Sequence, residues 1–168
     1  MDDRAIVARQ LGRTPRAFGR VAARCPFGLP AVTEQRPYDA RGEPFPTTYY
    51  LTCPHLVAAI ARVEAAGGVE RWSRAVGENV ELAESLTAAT REQGRIRRTL
   101  AGAERGVDDG ASLDFGIGGS RMPDKLKCLH AHAAYALAHP GYELGERILG
   151  ELADQWPEQR CCSESLRD

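Results

Sequence analysis

The sequence predicts a helix-dominated α+β domain, in which a small three-stranded antiparallel meander packs against four or five helices. Three observations carry that prediction. Residues 17–53 alternate short apolar or β-branched runs with turns that contain Pro and Gly. From Pro54 onward, apolar residues recur at helical spacing instead. The chain of 168 residues is 43% hydrophobic and 27% charged, the composition of one folded domain rather than two.

Taken in order, Asp2 or Asp3 caps a short helix over residues 3–11, which Gly12 and Pro15 end, so that residues 1–16 form a basic N-terminal arm. Residues 18–24 make a first strand, Cys25-Pro26-Phe27-Gly28 a turn and residues 31–36 a second strand. After a polar connection over 37–46, Thr47-Thr48-Tyr49-Tyr50-Leu51-Thr52 has the strongest strand composition in the chain, which completes the meander over 17–53. Pro54 suits a first helical position, and Leu56, Val57, Ile60 and Val63 mark a stripe that Gly67-Gly68 stops. Residues 69–76 form a short helix. Asn79 caps a longer one to about residue 103, with Leu82, Leu86, Ala89, Ile96 and Leu100 on one face and a break allowed at Gly94. A loop rich in Gly and Asp covers 102–121. Asp124 then caps a helix to about residue 138, His139-Pro140-Gly141 ends it, and 143–155 forms the last helix. The helical part therefore spans 54–156, with a polar tail over 157–168, within one domain of 1–168.

Lys plus Arg is 22 against 23 Asp plus Glu, a net charge of -1 that predicts no general attraction to nucleic acid or anionic membrane. The first 24 residues are the exception. Arg4, Arg9, Arg13, Arg16, Arg20 and Arg24 oppose only Asp2 and Asp3 there. Contact with phosphate is one reading of that arm, but a solvated basic face is favoured, because only Phe18 interleaves as a stacking aromatic. The longest apolar stretch, over 56–63, contains Arg62 and is far short of the roughly 20 residues a membrane span needs. The acidic start Met1-Asp2-Asp3 lacks the pattern of a secretory signal, so a cytoplasmic location is expected.

The cysteines Cys25, Cys53, Cys128, Cys161 and Cys162 are odd in number and scattered, which disfavours a disulfide framework. The first and third strands of a meander run the same way, so Cys25 and Cys53 lie at one edge of the sheet, each followed by Pro. Cys128 and His132, four residues apart on the helix beginning at Asp124, share a face, whereas His130 points elsewhere. Cys25, Cys53, Cys128 and His132 would complete a tetrahedral zinc site. Replacing His132 by Cys161 or Cys162 gives four thiolates, suited to an iron–sulfur cluster or zinc, and three cysteines alone would leave one iron open to substrate. The plain alternative is buried cysteines and a core histidine.

Gly116-Ile117-Gly118-Gly119-Ser120-Arg121 precedes the same helix, with Lys125 and Lys127 nearby. Glycine amides and a helix N-terminus suit a small anionic ligand, so Gly116, Gly118, Gly119, Ser120, Arg121, Lys125 and Lys127 form a candidate anion site. Neither a P-loop nor a dinucleotide fingerprint is matched, and a loop closing onto a cap explains the stretch equally well. His55, Tyr49, Tyr50 and Tyr135 read as capping, core or rim residues, and no arrangement supports Ser120 as a nucleophile.

Arg24-Cys25-Pro26-Phe27-Gly28-Leu29-Pro30, Phe45-Pro46-Thr47-Thr48-Tyr49-Tyr50-Leu51-Thr52-Cys53-Pro54, Gly116-Ile117-Gly118-Gly119 and Lys127-Cys128-Leu129-His130-Ala131-His132 together resemble a bacterial family catalogued as domain of unknown function 501. The resemblance runs from about Gly12 to the last helix. It implies that the cysteines matching Cys25, Cys53 and Cys128, the histidines matching His130 and His132, and a cysteine near the end belong to the family's pattern. Cysteines built into such motifs look more like ligands than packing. The segment Gly141-Tyr142-Glu143-Leu144-Gly145-Glu146 resembles the family's turn but lacks its Asn-Pro pair. The resulting expectation is a metal site, iron–sulfur favoured over zinc, in a protein that acts on or binds a small anionic substrate. The alternative is a non-catalytic module that binds nucleotide, RNA or protein and merely buries its cysteines.

Overall fold

The computed structural model describes residues 2–158. Asp2 accepts the Ala5 amide at 2.8 Å and caps α1 (Asp3–Leu11), which ends on Gly12 in the left-handed region at φ 66°. The chain then makes the expected meander: β1 (Phe18–Arg24), β2 (Pro30–Gln35) and β3 (Tyr49–Leu51), antiparallel in the order β1-β2-β3. β2 is buried throughout, and β1 and β3 are the edges. β3 is shorter than the expected 47–52 run. Pairing nevertheless reaches one residue beyond it on each side, through the Gln35 amide to Thr48 O at 2.7 Å and the Thr52 amide to Ala31 O at 2.9 Å.

Pro54 opens α2 (Pro54–Ala65), and α3 (Gly68–Glu78) and α4 (Val80–Ala101) follow. Asn79 caps α4 by accepting the Leu82 amide at 3.1 Å. Two expectations for α4 are corrected. The helix is unbroken at Gly94, and its inner face continues from Leu82, Leu86 and Ala89 into Gln93, Arg97 and Ala101 while Leu100 is exposed. Gln93 and Arg97 occupy the positions that continue the stripe and satisfy loop carbonyls, so a helical period with polar members marks the buried side.

The loop after α4 contains two short 3₁₀ turns, Ala111–Asp114 and Ile117–Gly119. α5 spans Leu129–Ala138, not a helix from Asp124. Its cap comes from elsewhere: Glu64 of α2 accepts the Leu129 amide at 2.6 Å. Cys128 is therefore the residue before the helix, with φ -153° and ψ 149°, and does not share a helical face with His132. α6 (Glu143–Gly150) stops before the expected residue 155. Among the described residues there are thus six α-helices beside the three-stranded sheet, and none is long and apolar enough to cross a membrane.

α5 is the central element, packed on β3 and on α6. Leu129, Ala133, Ala134 and Tyr135 join Val32, Leu51, Leu56, Ile60, Leu144 and Ile148 in the main core. α6 approaches so closely that a Cβ at Gly145 would stand 2.6 Å from His132 O and 2.7 Å from Ala136 Cβ. A glycine is required there for contact, not for backbone freedom.

Candidate functional site at the free edge of the sheet

Antiparallel pairing turns alternate residues of a strand toward and away from their partner. Thr48, Tyr50 and Thr52 face β2 with their main-chain groups, so the amides and carbonyls of Tyr49 and Leu51 face the open side of β3. That side is a cleft of about 570 Å³. Gln10 and Leu11 of α1 form one wall, Pro54, Val57 and Ala58 of α2 a second, and Cys128, His130 and Ala131 at the start of α5 a third. The walls are mainly apolar. Two of their polar groups lack partners among the described residues: Gln10 Nε2 donates to Pro30 O at 2.8 Å but its Oε1 is buried and unbonded, and so is Oγ1 of Thr52, which is only 1% exposed. Buried oxygens of this kind are rare in folded proteins and point to something that would complete them.

His130 is fixed by Glu64 Oε1 at 3.1 Å from Nδ1 and by Val57 O at 3.2 Å from Nε2. The same Glu64 oxygen holds the first amide of α5, so one carboxylate sets both the helix start and the wall of the cleft. Cys128 is half-buried. Burial pushes its thiol pKa up, Glu64 adds to the rise, and the neighbouring Ala131 and His130 amides offset it only in part. That shift favours the thiol over the thiolate in the cleft wall.

Of the other expected ligands, Cys25, Cys53 and His132 lie in the interior. Cys25 and Cys53 do end up at one end of the sheet, where Cys25 donates its amide to Leu29 O at 2.9 Å and Cys53 to Ala31 O at 3.3 Å, but both are buried in the core. His132 is fully buried with Nδ1 2.7 Å from the Tyr142 hydroxyl and Nε2 without a partner among the described residues, and burial pulls its pKa down to about 4. Among the described residues no three His, Cys, Asp or Glu side chains are grouped to hold one ion. Cys161 and Cys162 lie outside the described residues.

The glycine loop is folded on itself. Gly116 donates its amide to Ser120 O at 2.7 Å and Gly119 to Gly116 O at 3.0 Å, while Ser120 donates its hydroxyl to Met122 O at 2.7 Å. Gly118 packs near Cys128 and Gly119 against Pro46. Arg121 lies over the Phe115 ring, Lys125 is 4.0 Å from Asp124, and Lys127 is exposed. Several basic residues of the N-terminal arm are also engaged: Arg16 with Asp39, Arg20 with Glu34 and Arg24 with Asp3.

Two further constellations were not marked by any motif. On α4, Arg97 is fully buried, donates Nη1 to Phe45 O at 3.1 Å and to Thr48 Oγ1 at 3.2 Å, and leaves Nε and Nη2 without partners among the described residues. Burial lowers its pKa to about 10. Across the sheet, Arg20 holds Glu34 in a two-pronged bond at 2.9 and 2.8 Å, and Tyr49 donates its hydroxyl to Glu34 at 3.0 Å. His139 Nε2 is 2.8 Å from the same hydroxyl, and its ring stacks on Tyr135. Burial, reinforced by the Glu34 charge, drives the Tyr49 phenol pKa upward. Only the register of β2 and β3, which pairs Glu34 with Tyr49, brings these residues together.

No curated protein and no solved structure matches the chain. The model of a family described as protein of unknown function (DUF501) matches residues 21–154, which hold the edge strand and the α2 and α5 walls of the cleft, and the chain belongs to that family.

Proposed function

We propose that the chain is a binding module whose ligand occupies the cleft along β3. One observation carries this reading: a mainly apolar cleft in which two buried oxygens, Gln10 Oε1 and Thr52 Oγ1, have no partners among the described residues. Ligand sites are concave, mostly apolar and furnished with a few placed polar groups, and about 570 Å³ is in the range such sites occupy. The ligand is largely apolar and offers hydrogen-bond donors to those oxygens. The test is iodoacetamide labelling followed by peptide mapping at Cys128, with a library of small uncharged amides and alcohols as probes. Some members slow alkylation of Cys128 and shift the amide resonances of residues 50–52. If none does either, the cleft does not take a compact ligand.

A second reading retains the expected metal. It is favoured by Cys25 and Cys53 sharing one end of the sheet, and it requires further ligands, for which Cys161 and Cys162 are the candidates. Iron and zinc analysis of anaerobically prepared protein tests it: substoichiometric amounts of both rule it out.

A further inference from the structure

We propose that the occupant of the cleft is an extended peptide of acidic and apolar composition, which adds a fourth strand to the sheet along the free edge of β3. The proposal rests on the cleft being the binding site and goes beyond it by naming the kind of partner. Tyr49 and Leu51 each direct an amide and a carbonyl to the open side of the strand, at the two-residue spacing with which another strand presents its own. Compact ligands rarely match such a row of alternating donors and acceptors; a polypeptide backbone does so regardless of its sequence.

The edge itself is unguarded. Exposed edge strands usually carry a charge, a proline or a bulge that blocks pairing with other chains. β3 reads Tyr49-Tyr50-Leu51, pairs with β2 in unbroken register and has none of these. It is flanked instead by residues of α1, α2 and the start of α5, which line the cleft beside it. Side chains on one face of that strand would meet Gln10 and Leu11, and those on the other Val57, Cys128 and Ala131.

Charge selects among peptides. Arg16, Arg20 and Arg24 each have a carboxylate partner, whereas Arg13 is exposed, and its one described contact is Nη2 to the Tyr50 hydroxyl at 3.5 Å. Tyr50 lines the cleft, so the Arg13 guanidinium lies beside one of its lining residues. A carboxylate on the incoming peptide is the group that Arg13 would bind.

The experiment selects linear peptides from a random phage-displayed library against the full chain and measures synthetic winners by fluorescence anisotropy. The expected winners carry an acidic residue, and Arg13→Ala weakens them about fivefold. Methylating the backbone nitrogens of alternate residues in one phase weakens binding about tenfold or more, while the other phase is tolerated. Bound peptide slows hydrogen exchange at the Tyr49 and Leu51 amides. The proposal is overturned if no peptide is enriched, if methylation in both phases is tolerated, or if those two amides exchange as before. If small molecules protect Cys128 while peptides fail, the cleft remains a binding site for compact ligands and only the strand is lost; if neither protects, both readings fall.

Discussion

A buried oxygen without a partner destabilises a protein, and Thr52 carries one that has none among the described residues, beside an apolar cleft. Thr52→Val keeps the shape and removes that oxygen, so it leaves the unliganded protein unchanged or stabilises it by about 1 kcal/mol in urea denaturation. The same change weakens whatever fills the cleft. Opposite signs for stability and binding are the mark of a ligand-facing hydroxyl, and a merely structural threonine would lose stability. His132 gives the second prediction at this scale. Its folded pKa of about 4 lies below the ordinary histidine value of 6.5 because burial disfavours the cation. Between those values the unfolded chain binds the proton and the folded chain does not, so stability falls as pH drops from about 6.5 to 4, by up to roughly 3 kcal/mol. His139, also lowered first by burial, acts with the same sign. His132→Gln flattens this slope in thermal melts taken across the window. An unchanged slope would remove His132 from the account.

At the scale of elements, the meander was legible because its signals are local: a Pro-Gly turn after 18–24, and β-branched and aromatic residues before Cys53. The start of α5 was not legible. Asp124 looked like a cap, but the group that caps the helix is Glu64, 65 residues earlier and on α2, and no local pattern announces it. With the helix start displaced, Cys128 precedes α5 and does not share a helical face with His132. Glu64→Ala removes the bonds to the Leu129 amide and to His130, which should cost about 1–3 kcal/mol. Hydrogen exchange in the first turn of α5 should accelerate, and iodoacetamide should reach Cys128 faster. Equal labelling rates in variant and parent would show that Glu64 does not shape the cleft. Where α5 crosses α6, Gly145→Ala forces a methyl within 2.6 Å of His132 O, with an expected loss of roughly 2 kcal/mol or more in urea denaturation.

For the whole molecule, charge was only half informative. The six arginines of the first 24 residues looked like a basic surface, yet folding places Asp39, Glu34 and Asp3 against three of them. Asp39 and Glu34 lie outside that segment, beyond the reach of a segment count, while Asp3 lies within it. With a net charge of -1, the protein should show weak and unselective anisotropy changes with a labelled single-stranded RNA at physiological salt. Tight, steeply salt-dependent binding would contradict this. The glycine loop is a related case: its composition suited an anion, but the Gly116 and Gly119 amides close the loop on itself. The match to the family begins at residue 21, so α1, which supplies Gln10 and one wall of the cleft, lies outside the matched region.

Tyr49 belongs to two surfaces at once. Its peptide groups border the cleft, while its phenol reaches through the layer beneath to Glu34 and His139, the latter beside the acidic hollow formed by Glu81, Glu84, Glu92 and Glu143. A small shift of this strand therefore cannot stay private to one side: it must be registered at an imidazole on the far flank, which makes His139 a natural reporter, by its NMR titration, of events at a place it never touches.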